Sequence, residues 1–104
     1  MRAALYARVQ EFASSESLTA QQTACRLLAE RRGYIITDEF TDRGSGSEYR
    51  SRPALNTLRE RIRNRAVDVV IAYGPDRLSR KPNHIQDLVD EATHFSVCFE
   101  FVQE

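Results

Sequence analysis

The sequence predicts a three-layer α/β/α domain with a mainly parallel four-stranded sheet. Short apolar runs alternate with amphipathic segments along the whole chain, Pro53 and Pro82 stand where helices would begin, and Gly33 stands where a helix would end. The resulting order, β-α-β-α-β-α-β, is typical of a parallel sheet with helices on both faces. A chain of 104 residues has room for one modest core, so residues 1–104 are predicted to form a single domain.

The individual elements are assigned from hydrophobic periodicity and from turn residues. The predicted strands cover residues 3–9, 34–40, 67–73 and 95–102. The predicted helices run from a Ser17 cap to residue 32 and onward from Pro53 and from Pro82. The first strand is almost wholly apolar, which favours a central position buried on both faces. The second strand ends in polar residues, which favours a place nearer the sheet edge.

Composition gives no support for a polyanionic partner, a metal site or a disulfide framework. The 15 basic and 15 acidic residues balance, so net charge does not point to a polyanionic partner. Every basic residue except Lys81 is arginine, a bias that base composition of the genome can also produce. Cys25 and Cys98 lack metal-site spacing and fall at apolar positions, where we expect buried thiols. His84 and His94 are isolated, so no metal cluster is predicted.

Two further expectations concern location and charge patterning. No apolar run approaches the length of a membrane span, which predicts no membrane association and a cytoplasmic protein. Four arginines follow Pro53 on one predicted helix, and they are interpreted as a solvated face, although one side of it could track a DNA backbone. They are Arg59, Arg61, Arg63 and Arg65.

Charged side chains gather at the predicted carboxyl ends of the strands. Arg8 lies near the end of the first strand, Asp42, Ser45 and Arg52 follow the second, and Asp76, Arg77 and Arg80 follow the third. In an open parallel sheet these ends share one edge, where ligands bind. Four converging arginines repel one another unless an anion lies between them, and guanidinium groups bind phosphate in a forked geometry. The pattern therefore predicts a phosphoryl site.

This pattern has three other interpretations. An exposed loop around residues 76–80 could carry charges that only interact with solvent. A nucleotide-binding domain would need a Walker or GxGxxG motif after a strand, and neither is present. A response-regulator receiver would need an acidic cluster after the first strand, where the chain has Val9 and Gln10.

Six segments of the chain form a recognisable set. They are Tyr6-Ala7-Arg8-Val9, Ser17-Leu18 with Gln21, residues 40–46, residues 52–55, residues 67–70 and residues 76–80. Taken together, these segments resemble the catalytic domain of the resolvase/invertase family of serine site-specific recombinases, and the resemblance spans nearly the whole chain.

This resemblance implies a function in DNA strand cleavage and exchange. In the family, a serine after the first strand attacks a DNA phosphodiester, forms a 5′-phosphoserine link and releases a 3′-hydroxyl. Arginines that match Arg8, Arg52, Arg77 and Arg80 would hold the phosphate, and Asp76 would orient an arginine or assist proton movement. Gln21, Asp42 and Ser45 correspond to residues that line the site. The resemblance implies no metal and no cofactor.

The chain departs from the family motif at the nucleophile, because Gln10 replaces the expected serine. An amide nitrogen cannot accept the phosphoryl group, so the chain is expected to be inactive as written. Three explanations stay open: a substituted nucleophile in an otherwise active enzyme, a naturally inactive relative, or a displaced nucleophile at Ser14 or Ser15, which are placed in a loop. The alternative function is a non-catalytic anion-binding or subunit-interaction module derived from this family.

The resemblance also sets expectations beyond these 104 residues. Family members continue into a long oligomerisation helix and a DNA-binding domain, so the chain is interpreted as a catalytic-domain fragment. The implied partners are DNA and, in the full-length protein, further copies forming a homodimer or tetramer. The implied location is the cytoplasm, in association with the nucleoid of a prokaryote or with a mobile element.

Overall fold

The computed structural model of the protein describes residues 1–10, 12–44 and 52–103. Four parallel strands form one sheet in the order β2-β1-β3-β4. The strands are β1 (Arg2–Val9), β2 (Ile35–Arg43), β3 (Val69–Ala72) and β4 (Cys98–Phe101). The helices are α1 (Ser15–Arg32), α2 (Pro53–Arg63) and α3 (Pro82–His94). The predicted fold class and element order are confirmed.

Helices cover both faces of the sheet, and each face has its own core. On one face, Cys25 and Ala29 of α1 pack against Ala3, Leu5 and Ile71. On the other face, apolar residues of α2 and α3 pack against alternate residues of β1 and β3; this core includes Ala4, Tyr6, Leu55, Leu58, Ile62, Val70, Leu88 and Ala92. Residues 3–9 of β1 are all buried, which confirms the central, doubly covered first strand.

Several predicted element ends are wrong, each for a local reason. Helix α1 begins earlier than predicted, because Ser14 and not Ser17 is its N-cap and accepts a hydrogen bond from the Ser17 amide at 3.4 Å. Ser14 and Ser15 therefore belong to the start of a helix and not to a loop. Gly33 ends that helix with φ of 73°, as predicted.

The strand lengths also differ from the prediction. Strand β2 continues three residues past residue 40, because it stays paired to β1 as far as the Val9 and Arg43 pair. Strands β3 and β4 are shorter than their apolar runs. Val67 and Val97 are buried just before these strands, so both residues add apolar area to the core without joining a ladder. The edge position of β2 is confirmed.

Two predictions about side-chain exposure need correction. Cys25 is buried as expected, but Cys98 is exposed, because the edge strand β4 leaves one of its faces open beyond α1. The predicted arginine series is neither wholly on α2 nor uniformly solvated, because Arg65 lies two residues past the end of the helix with φ of 52°. Arg59 donates two hydrogen bonds to Glu91 of α3, at 3.0 and 2.8 Å, and so ties the two helices together.

The described residues also bear on the predicted absences. No helix among residues 1–10, 12–44 and 52–103 is long and apolar enough to cross a membrane. In the same part of the chain, no group of three or more His, Cys, Asp or Glu side chains could hold a metal ion.

Candidate functional site

The carboxyl ends of the parallel strands lie at one edge of the sheet and carry the predicted site residues. Arg8 of β1 is paired with Asp42 of β2, and Tyr6 is paired with Ala72 at the end of β3. The chain after β3 continues directly into Asp76 and Arg77. Convergence at this edge follows from the parallel topology, as the sequence predicted.

The segment after β3 is a tight turn, here called the 75–80 turn. Its first part, Pro75–Arg77, is one turn of 3-10 helix. Gly74 precedes it in a close-packed corner, where a Cβ atom would lie 2.9 Å from Asp76 Oδ1. Leu78 anchors the turn, since it is fully buried and belongs to the core on the α2 side of the sheet. The turn is thus a fixed part of the fold, in contrast to the solvated loop considered as an alternative.

Arg8 reaches from β1 to the backbone of this turn. Its side chain donates to the carbonyl oxygens of Arg77 at 3.3 Å, Gly44 at 3.1 Å and Asp76 at 2.9 Å. The residue is only 4% exposed. Burial, and next the nearby charge of Arg52, lower the pKa of the Arg8 guanidinium. The charges of Arg80 and Arg77 lower the Arg8 pKa further.

Arg52 is the most deeply buried of these arginines, with 1% exposure. Its Nε and Nη2 atoms donate to the Tyr6 hydroxyl at 3.2 and 2.7 Å. Its two Nη atoms also donate to the carbonyl oxygens of Leu78 and Arg77. All three guanidinium nitrogens are therefore engaged by protein acceptors, which offsets the cost of burying the charge.

Tyr6 connects Arg52 to Asp42. Its hydroxyl donates to Asp42 Oδ2 at 2.7 Å while it accepts the two hydrogen bonds from Arg52. Burial raises the pKa of the Tyr6 phenol, although the charge of Arg52 opposes the shift. The raised pKa keeps the phenol protonated as a donor near neutral pH. Tyr6 belongs to the matching segment Tyr6-Ala7-Arg8-Val9 but was not predicted as a site residue, because a tyrosine inside an apolar strand is usually a core residue.

Asp42 was predicted to line the site, and in the structure its carboxylate also binds the start of α2. The carboxylate is 4% exposed and accepts from the backbone amides of Ala54 at 2.9 Å and Leu55 at 2.9 Å. It therefore satisfies two free amides in the first turn of α2, where a negative charge also complements the helix dipole. Together with Tyr6 it links β1, β2 and α2 directly beneath the 75–80 turn.

The remaining predicted residues occupy different positions. Gln10 is exposed just past β1, and Gln21 of α1 is buried and donates to the Arg8 carbonyl at 3.1 Å. Arg77 is partly exposed and its Nη1 atom lies 3.1 Å from Asp76 Oδ2, so an orienting contact between these residues is present. Arg80 is exposed. Ser45 lies outside the described residues.

The geometry divides the four arginines into two pairs. Arg8 and Arg52 are buried and donate to protein oxygens, whereas Arg77 and Arg80 retain exposed surface. Whether all four arginines contact one phosphate stays a prediction.

Comparison with known proteins identifies the family. Residues 3–104 match the sequence profile described as the resolvase N-terminal domain. A protein of Bacillus subtilis (strain 168) that is named as a DNA recombinase is 37% identical over 81 residues, which cover 75% of this chain. The chain spans 16% of the length of that relative.

Solved structures of serine recombinases share this fold closely. The C-terminal catalytic domain of ISC1926 TnpA, an IS607-like serine recombinase, superposes with a TM-score of 0.91 at 29% identity, covering 100% of this chain and 71% of that chain. The N-terminal catalytic domain of TP901-1 integrase gives a TM-score of 0.86 at 34% identity, covering 98% and 77%. Profile, relative and fold agree, and the chain belongs to the resolvase family, within the catalytic domain of its serine recombinases.

Proposed function

We propose that this chain is the catalytic domain of a DNA strand-exchange enzyme and binds a DNA phosphate at the carboxyl edge of its sheet. The observation that carries the proposal is the convergence of Arg8, Arg52 and the 75–80 turn at the edge where β1 and β3 end, with Gln10 directly after β1. Clustered guanidinium groups stabilise negative charge on phosphoryl oxygens, which is the main electrostatic requirement of phosphoryl transfer.

The family reaction can be written for these positions. A serine hydroxyl at position 10 would lose its proton, bond to phosphorus and form a 5′-phosphoserine link. The bond between phosphorus and the 3′-oxygen would break, and that oxygen would take up a proton and leave as a 3′-hydroxyl. Gln10 cannot take the first step, since its amide lone pair is delocalised. We therefore propose that the domain binds the phosphate without cleaving the strand.

The proposal extends to partners and location. The proposed partner is DNA, and the proposed assembly of the full-length protein is a dimer or tetramer. The proposed compartment is the cytoplasm of a prokaryote, at the nucleoid or on a mobile element. Residues 1–104 are proposed to be one part of a longer protein with a separate DNA-binding domain.

Restoring the nucleophile tests this proposal. The chain with Gln10→Ser would be fused to a DNA-binding module of known sequence preference and incubated with a duplex nicked near the module's site. The nick lets the cleaved fragment diffuse away, so a covalent protein–DNA adduct accumulates and is seen on a denaturing gel. We expect an adduct from Gln10→Ser and none from the unchanged chain.

Two controls make the result specific. Gln10→Ala should give no adduct, and Gln10→Ser combined with Arg80→Ala should lose it, because the arginine is proposed to stabilise charge on the phosphate. An adduct from the unchanged chain that disappears in the Ser14→Ala/Ser15→Ala variant would instead identify a displaced nucleophile.

The second candidate is a non-catalytic module that uses this edge to bind an anion or another subunit. The hydrogen bonds from Arg8 and Arg52 to backbone carbonyls favour this candidate. They give two of the four arginines a structural role that does not depend on catalysis. Gln10→Ser that folds normally and still gives no adduct would support this candidate over the first.

A further inference from the structure

The contacts of Arg52 differ in kind from those expected of an arginine that binds a phosphate. At 1% exposure, it is among the largest fully buried side chains of the described residues. Its acceptors are the Tyr6 hydroxyl and two consecutive carbonyl oxygens, those of Arg77 and Leu78, which belong to the turn that carries the more exposed arginines. Within residues 1–10, 12–44 and 52–103, Arg52 forms no direct ion pair with a carboxylate.

The far end of this contact network is equally fixed. Tyr6 donates to Asp42, and Asp42 accepts the amides of Ala54 and Leu55 at the start of α2. Arg52 itself immediately precedes α2. The network therefore connects a central strand and a helix N-terminus to the backbone of the 75–80 turn through the Arg52 guanidinium, the Tyr6 hydroxyl and the Asp42 carboxylate, in addition to the hydrogen bonds that Arg8 donates to the same turn.

We propose that Arg52 is a positioning residue and not a phosphate contact: with Tyr6 and Asp42 it clamps the backbone of the 75–80 turn, so that Arg77 and Arg80 present their guanidinium groups to the DNA phosphate. This assignment rests on the proposed function for its ligand, and it deepens that function by dividing the roles of the arginines. The planar fork of arginine suits the clamp, since it reaches two carbonyl oxygens and a hydroxyl at once.

Salt dependence separates a phosphate contact from a positioning role. Each phosphate contact releases counterions, so losing one lowers the slope of log affinity against log salt concentration by roughly 0.9. Binding of the unchanged chain and its variants to a fluorescent 30-base-pair duplex would be measured by anisotropy over a series of low salt concentrations. We expect Arg80→Gln to lower both the affinity and the slope. We expect Arg52→Met to lower the affinity with the slope unchanged, because Arg77 and Arg80 keep their charges and still contact the phosphate once binding has ordered the loosened turn.

Arg52→Lys provides a second variant that keeps the charge. A lysine can still contact a phosphate as a point charge, but one ammonium group cannot span the Tyr6 hydroxyl and two carbonyls. We expect Arg52→Lys to lose as much affinity as Arg52→Met. Rescue of affinity by lysine, or a slope reduced by Arg52→Met as much as by Arg80→Gln, would overturn the assignment.

Amide hydrogen exchange without DNA tests the clamp independently of the ligand. The Leu78 amide bonds to the Pro75 carbonyl at 2.9 Å and reports on the turn, whereas the amides of β1 and β3 report on the sheet. We expect Arg52→Lys to accelerate amide exchange at residues 77–79. The factor of acceleration there should be at least about ten times the factor in β1 and β3. Equal acceleration everywhere would contradict the clamp. Absence of salt-dependent DNA binding by the unchanged chain would contradict the proposed function alone, because the exchange result does not depend on DNA.

Discussion

At the scale of single residues, the Tyr6 hydroxyl has a structural role that its position in an apolar strand does not reveal. It donates one hydrogen bond to Asp42 and accepts two from Arg52, all within the core. Removing it leaves a buried carboxylate and a buried guanidinium each without one partner, and an unsatisfied buried polar group costs more than a hydrogen bond contributes. The position should therefore tolerate phenylalanine poorly, although the ring itself would still fit.

We expect Tyr6→Phe to lower the free energy of unfolding by about 1–3 kcal/mol. Urea denaturation followed by circular dichroism measures this, with the denaturant slope unchanged if the fold is retained. Tyr34→Phe is the matched control, because its hydroxyl bonds to Glu100 in a partly exposed setting and its loss should cost less. Equal losses in the two variants would show that the buried network contributes no more to the free energy of unfolding than the partly exposed hydrogen bond of Tyr34.

The residues of the site were predictable where charge interrupts an apolar pattern. Arg8 and the Asp76-Arg77 pair are conspicuous at strand ends, and parallel topology then brings them together. Tyr6 and Leu78 were not identified, since a tyrosine in a strand and a leucine in a polar loop give no sign of their partners. Leu78 does offer one usable signal: an apolar residue between charged ones must pack somewhere, and its burial fixes the turn.

At the scale of elements, helix α2 is held at its first turn and at its middle by residues of other elements. Asp42 of β2 caps its first turn, and Arg59 connects its middle to Glu91 of α3. Pro53 predicted where the helix begins, but it could not reveal a cap ten residues earlier, because hydrogen bonds across a loop leave no periodic trace. The same limitation explains the strand ends, which depend on pairing with neighbours and not on composition alone.

The Glu91 carboxylate makes the contact between α2 and α3 sensitive to pH. Hydrogen bonds from Arg59 hold its pKa below the ordinary value of 4.5. A depressed folded-state pKa means that the stabilisation is fully present above the unfolded value and is lost as the pH falls through the folded value. We expect Glu91→Gln to cost about 0.5–1 kcal/mol at pH 7 and almost nothing at pH 3.

Urea denaturation at pH 7, 5 and 3 would measure this difference. Glu60→Gln changes an exposed carboxylate on α2, the helix that carries Arg59, and serves as the control, with little effect expected at any of the three values. A constant difference between Glu91→Gln and the unchanged chain across the series would show that the ion pair with Arg59 does not contribute through charge.

At the scale of the whole molecule, one sheet separates two cores. Alternate residues of β1 and β3 face α1 on one side and the α2 and α3 pair on the other. Because both cores share these two strands, neither face can open fully without disturbing the backbone that supports the other. The topology was predictable from the alternation of strands and helices, and this mechanical coupling follows from it. It predicts that the domain unfolds as one cooperative unit.

Cys25 allows that cooperativity to be measured. Its thiol is 1% exposed on the α1 face, and burial raises its pKa to about 11, so alkylation in the native state requires unfolding. Leu58→Ala truncates a fully buried side chain on the opposite face and should cost about 2–5 kcal/mol. In a two-state molecule that loss speeds Cys25 alkylation by at least roughly 30-fold, because the unfolded population rises by that factor.

Peptide mass spectrometry would follow Cys25 separately from the exposed Cys98, and Leu27→Ala, a truncation at a half-exposed position of α1, is the control. If Leu58→Ala lowered the stability measured in urea while Cys25 labelling stayed at the rate of the unchanged chain, the two faces would have to unfold separately, and the sheet would not couple them.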